Sequence, residues 1–279
     1  MKKQFNGKGE KKTHWNDVSS WYDDLVGQEG SEYHVNVIFP NLLKLLKERS
    51  KTKNTKYVLD LACGQGALCR LLNSEGYKVT GVELAKDLLK SAKNRTKDNS
   101  ILYLHGDVTK LVDENKKLVT PFTENTYDVV TIILAIQNMS PLSPIWTAVK
   151  KLLKPGGDLY LVMMHPCFRI PQHADWHWND KEHRQERTMW KYLKSKEIPI
   201  TAHPGKKASN IDDTSTIHFH RPLQAYINTL SNTGLYVTHF DEWVSHKKEQ
   251  KGIKSEAIDN AREEFPMFLC LRATKVNEE

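Results

Sequence analysis

Three features of the sequence predict an α/β fold. Residues 58–66 read Val-Leu-Asp-Leu-Ala-Cys-Gly-Gln-Gly, an apolar run closing in small residues, as a buried strand feeding a tight turn does. Further apolar runs follow at 77–82, 101–105, 127–134 and 158–164, and the pattern around them is that of an α/β core. An acid, Glu83, closes the second run 19 positions beyond Gly64, where a nucleotide-binding βαβ unit places the carboxylate that accepts from ribose hydroxyls. These features predict a Rossmann-like, mostly parallel sheet with helices on both faces.

Each element has its own justification. Gly64 and Gly66 let the backbone turn sharply and approach a ligand without a Cβ in the way. Ala67-Leu68-Cys69-Arg70-Leu71-Leu72 then starts a helix whose first amides face the turn. The dinucleotide fingerprint fails, because Cys69 stands where its third glycine belongs. Asp60, at the end of the first strand, would repel a diphosphate and suits a ligand bearing an ammonium group. Ile101–His105 reads as a third strand running into Gly106-Asp107-Val108. Tyr127–Leu134 is apolar after Asp128 except at Thr131, as a strand buried on both faces is, and it ends in Ala135-Ile136-Gln137-Asn138-Met139. Leu152–Gly157 closes a helix, with Pro155-Gly156 fitting a type II turn into a fifth strand over 158–164.

Residues 15–25 and 31–49 read as two N-terminal helices, the second interrupted by Pro40. Leu223, Ile227 and Leu230, between Pro222 and Gly234, mark an amphipathic helix. Residues 235–240 and 267–273 would be the last two strands, and the charged stretch 244–264 between them a solvated loop with a helical part.

The stretch 58–66 resembles motif I of class I S-adenosylmethionine-dependent methyltransferases, in the variant Asp-x-Ala-Cys-Gly-x-Gly. Glu83, Asp107 after the third strand and the Leu-Lys-Pro-Gly-Gly block follow in that family's order, so the resemblance is strong over 58–164 and looser to about 274. It implies a seven-stranded sheet whose last strand is antiparallel, with a substrate lid inserted after strand five. It also implies S-adenosyl-L-methionine as cofactor, held by Asp60, Ala62, Cys63, Gly64, Gly66, Glu83 and Leu84. Asp107 would take the adenine amino group and Val108 flank the ring. Leu134 and Gln137 would line the methyl-transfer cleft, and Tyr33 and His34 lie in a region that closes over the cofactor.

Composition fits one domain, 15–279, behind a basic tail, 1–14. The 279 residues suffice for a full core, and no apolar run approaches the length of a membrane span. The tail holds five lysines and one glutamate, so it supplies +4 of the chain's +7; such an end is expected to be disordered, and nucleic acid is not the expected partner. Cysteines 63, 69, 167 and 270 form no Cys-x-x-Cys pair, consistent with reduced thiols in the cytoplasm.

The insertion, 166–220, follows His165 with Pro166-Cys167-Phe168-Arg169 and includes Trp176, Trp178, Trp190 and Tyr192. A long irregular segment of this kind is usually a lid or binding loop. His173 and His177 could share a helix face, and His218 and His220 a strand face, but no zinc pattern completes either pair, so no metal is expected. The expected reaction is O- or N-methylation of a small-molecule acceptor. His165, at the end of the fifth strand, is the candidate general base. A methyltransferase acting on RNA or protein, or a cofactor-binding protein without turnover, stays open.

Overall fold

The structure, a computed structural model, describes residues 26–97, 100–201 and 215–276. The tail, the helix expected at 15–25 with Trp21 and Tyr22, and His203, Lys206 and Lys207 lie outside these residues.

A seven-stranded sheet organises the chain. Its strands are β1 (Tyr57–Leu61), β2 (Lys78–Glu83), β3 (Leu102–His105), β4 (Tyr127–Ile133), β5 (Leu153–Met164), β10 (Leu235–Trp243) and β11 (Phe268–Lys275). The order is β10-β11-β5-β4-β1-β2-β3, and β11 alone runs antiparallel to both of its neighbours. β1 and β4 are buried along nearly their whole length, so both of their faces must be covered by helices. On one face α4 (Leu142–Leu152) and α5 (Leu223–Ser231) bury Trp146, Leu152, Tyr226 and Leu230. On the other, α1 (Phe39–Thr52), α2 (Ala67–Ser74) and α3 (Lys86–Arg95) bury Leu42, Leu46, Leu72 and Ala92.

Some expectations are corrected. Pro40 does not interrupt a helix. It stands in the first turn of α1, directly after the wider π turn His34–Ile38, where its missing N–H and its ring are accommodated. The fifth strand begins at Leu153, because Leu153 already pairs with Tyr127; Gly156, at φ +71°, then bends the chain back into register at Asp158. The insertion is not irregular. It contains two antiparallel hairpins, β6 (Ala174–Asn179) with β7 (Arg184–Met189) and β8 (Lys196–Thr201) with β9 (Ser215–His220). His177 therefore sits on a strand and shares no helix face with His173. In the charged stretch near the C-terminus, Ser255–Glu264 forms α6.

At the amino-terminal edge of the sheet, a buried ionic cluster pins α1 to β4 and β5. Arg49, 5% exposed, donates from Nε to Asp158 Oδ2 at 2.5 Å and from Nη2 to the Asp128 carbonyl at 3.0 Å. Thr274 donates to the other oxygen of Asp158 at 2.6 Å. Burial works to raise the Asp128 pKa, but Lys154 and the amides of Tyr57 and Lys56 outweigh it and hold the carboxyl below its ordinary value. Removing one member of such a pair leaves a buried charge uncompensated. Arg49→Met should therefore lower stability by roughly 3–5 kcal/mol in urea denaturation. A loss below about 1 kcal/mol would show that Lys53, 3.5 Å from Asp158, takes over the pairing.

Candidate functional site

The carboxyl ends of β1, β2 and β3 meet around Glu83. Its Oε2 accepts the amide of Gly64 at 2.9 Å and its Oε1 the amide of Ala85 at 2.8 Å. The glycine turn is tied to β2 a second time by the Cys63 amide, which donates to the Val82 carbonyl at 3.0 Å. Burial raises the Glu83 pKa, and the backbone donors at Ala85, Gly64 and Leu84 pull against that rise. Each carboxylate oxygen keeps a second lone pair for a ligand hydroxyl. Gly66, at φ +79°, opens α2, and a Cβ there would overlap the Tyr103 hydroxyl.

Strain marks the same edge. Ala62 and Leu134 hold φ of 60° and 51° without being glycine, at the ends of the adjacent strands β1 and β4. Non-glycine residues in this region cluster at ligand sites, where the surroundings enforce the conformation. Leu134 is fastened there by its amide, which donates to the Val162 carbonyl at 2.8 Å. Gln137, in the turn that follows, donates from Nε2 to the Leu134 carbonyl at 2.7 Å. That bond fixes the amide orientation, and it leaves Oε1 buried with no partner among the described residues.

The flanking residues complete the rim. Leu84 is 44% exposed, and its carbonyl lies 3.0 Å from His105 Nε2. Asp107 caps the short turn Val108–Lys110, its Oδ1 accepting from the Thr109 amide and hydroxyl; its Oδ2 meets only the exposed Lys110, at 3.4 Å. Val108 is buried. Tyr33 packs edge-on against His246 and Phe268, at ring separations of 5.2 and 5.6 Å. His34 is buried and bonded through Nδ1 to Ser31; desolvation drives its pKa down to about 4, so it is neutral at physiological pH.

Two residues differ from their expected roles. Asp60 is turned into the fold. Its Oδ1 accepts from the Thr131 hydroxyl at 2.7 Å, and its Oδ2 lies 3.5 Å from the Cys69 thiol. Gly81, opposite Asp60 in the ladder, makes room for this packing, since a Cβ there would stand 2.8 Å from Cys63 Sγ and 3.0 Å from Cys69 Sγ. Burial pushes the Asp60 pKa up to about 7, against the hydrogen bonds from Thr131 and Cys69. His165 has both ring nitrogens engaged. The Cys167 amide donates to Nδ1 at 3.2 Å, so Nε2 carries the proton and donates to Glu242 at 2.7 Å. In this arrangement neither nitrogen is free to take a proton from an acceptor.

The resemblance implies a cover in the region of Tyr33 and His34, but the latch that holds it was not legible in the sequence. The side chains of Gln65 and Arg95 both donate to the Gly27 carbonyl, at 2.6 and 2.7 Å, and Arg70 donates to the Gln28 carbonyl at 2.5 Å. These bonds hold residues 27–28 against the glycine turn, and only the arginines near the motif hint at them.

Residues 59–161 match the family described as "Methyltransferase domain". Over that stretch the chain is similar to methyltransferase domains. Over 143 residues it is 29% identical to a ubiquinone biosynthesis O-methyltransferase of Sodalis glossinidius, covering 51% of this chain and 53% of that protein. The chain thus spans about half the length of the curated relatives it matches. The fold is that of S-adenosylmethionine-dependent methyltransferases. A structure of one from Mesorhizobium loti superposes with a TM-score of 0.62 at 22% identity, over 89% of this chain and all of that one. A glycopeptide N-methyltransferase complexed with S-adenosyl-L-methionine gives 0.52 at 16% identity, over 82% and 92%.

The Asp60 pKa sets a pH dependence on the domain. Because it is raised in the folded state, the folded chain holds a proton that the unfolded chain loses above about pH 4. Stability should therefore fall as pH climbs from about 4 to about 7. Asp60→Asn should make that slope shallower in urea titrations across the range. A variant slope identical to that of the wild type would show that Asp60 ionises at its ordinary pKa.

Proposed function

We propose that this chain transfers the methyl group of S-adenosylmethionine to an oxygen or nitrogen of a small-molecule acceptor. The observation that carries the reading is Glu83, buried at the end of β2, bonded to the glycine turn and keeping a lone pair on each oxygen for the cofactor ribose. The unpartnered Oε1 of Gln137 fits the same reading, as an acceptor facing a ligand that carries positive charge. The family match and the O-methyltransferase names of the curated relatives support it. So do four unpaired thiols for a cytoplasmic setting, and no described helix is long and apolar enough to cross a membrane.

When bound, S-adenosylmethionine supplies an activated methyl on a sulfonium. The chain's own part is to align the acceptor and exclude water. Ala62, Cys63, Gly64 and Gly66 shape the cofactor turn. Asp107 reaches the adenine with the carboxylate oxygen its cap leaves over, and Val108 and Leu84 flank the ring. Leu134 sets the cleft wall, and Tyr33 and His34 cover it. Asp60 acts from beneath, by fixing β1 to β4 through Thr131. We assign His165 a positioning role: with Glu242 it orients the first turn of the insertion 166–220, which covers the acceptor within a single domain, 15–279.

Glu83→Ala should weaken S-adenosylmethionine binding by about 1–3 kcal/mol in calorimetry, the cost of leaving polar groups unpaired. Unchanged affinity would overturn the ribose assignment.

A further inference from the structure

Among the described residues, Arg169 has no counter-charge. Arg169 stands one turn past β5, its amide bonded to the His165 carbonyl at 2.8 Å. Its guanidinium lies 5.6 Å from the centre of the Trp176 ring, and that of Arg187 lies 4.9 Å from the same ring. Arg187 is satisfied: Nε and Nη2 both donate to the Phe168 carbonyl, and Asp175 attracts its charge. Arg169 is not. Among the described residues it forms no ion pair, and its Nε is buried without an acceptor. Glu242 is taken by His165, and Glu32 by His246 and Lys247. Burial and Arg187 lower the Arg169 pKa to about 10, which still leaves it charged at neutral pH.

A second unpaired donor comes from a distant part of the chain. Trp243, 5% exposed, pairs with Phe268 in the β10–β11 ladder, and its Nε1–H is buried with no acceptor among the described residues. Phe268 in turn packs against Tyr33, whose hydroxyl lies within the field of Arg169. Buried N–H groups are rarely left unpaired, and an uncompensated guanidinium more rarely still. Two such donors, one from the insertion and one from β10, come to the carboxyl end of β5 around His165, whose carbonyl holds the Arg169 amide and whose ring holds Glu242, next to Trp243.

We propose that this corner is an oxyanion subsite for the methyl acceptor. Arg169 binds a carboxylate or phosphate, the Trp243 indole N–H donates to it, and the Tyr33 ring lies against the acceptor's apolar part. The subsite names the acceptor class, an anionic small molecule, and as an acceptor site it rests on the methyltransferase reading above; the binding itself does not.

The test uses the full chain, with indole-¹⁵N-labelled tryptophan, saturated with S-adenosylhomocysteine and held at constant ionic strength. Benzoate and inorganic phosphate are titrated separately, and the Trp243 indole resonance is assigned by its loss in Trp243→Phe. At least one anion should shift that resonance and bind tenfold or more weakly to Arg169→Gln, with Arg169→Lys intermediate and the remote Arg184→Gln unchanged. Benzoate binding would identify a carboxylate-bearing acceptor, and phosphate binding a phosphorylated one. Should Arg169→Gln fail to fold, Trp243→Phe, which keeps the guanidinium, should weaken the same anion several-fold by calorimetry. No shift with either anion, or equal affinity in the wild type and the variants, would overturn the subsite. If S-adenosylhomocysteine itself does not bind, the methyltransferase reading falls, while the anion titration, run without it, still decides this proposal.

Discussion

The Glu83 carboxylate is the joint on which the rest of the domain depends. Two backbone amides, of Gly64 and Ala85, end on its two oxygens, and its own carbonyl accepts the amide of Gly106 at 3.0 Å. The turn after β1, the start of α3 and the exit from β3 are thus fixed by one residue at the end of β2. A buried carboxylate is tolerated there only because amides point at it from more than one direction. The same arrangement that stabilises the acid leaves it directed toward the crevice. Structural and ligand-binding duties therefore converge on a single side chain.

The polar residues around that joint divide by the direction they face. Asp60 lies on β1 and faces Thr131 of β4 and the Cys69 thiol of α2, so its polarity serves strand-to-strand and strand-to-helix packing. Glu83 lies one strand over and faces the turn. His165 resembles Asp60, since its imidazole ties β5 to β10 through Glu242. Strand-end polar residues in this sheet bind the fold together on one side and line the crevice on the other, and residue type alone does not tell them apart.

This explains which parts were legible in the sequence. The parallel strands announced themselves because both of their faces are buried, so β1, β4 and the second half of β5 are mostly apolar, broken by Asp60 in β1 and by Asp128 and Thr131 in β4. Gly64, Gly66 and Glu83 were legible because a turn and a terminal acid have fixed spacing in βαβ units. The hairpins of the insertion were not. β7 reads Arg-Gln-Glu-Arg-Thr-Met and has no apolar alternation, and Trp176 of its partner β6 is held by Arg169, Arg187 and the edge-on ring of Phe265, contacts that come from three separate segments. Tautomer and side-chain direction were equally hidden, since the roles of His165 and Asp60 depend on partners 77 and 71 positions away.

The cover over the glycine turn is gripped almost wholly through its backbone. Gln65, Arg70 and Arg95 hold the carbonyls of Gly27 and Gln28, which every residue type possesses. Only the chain path is prescribed, by Gly27 at φ +63° and by Gly30 at φ +112°, where a Cβ would press on His34. A flap fastened in this way is indifferent to most of its own side chains. Its sequence is free to drift, and its outer surface to be remade for a new ligand or partner, while the latch beneath stays the same.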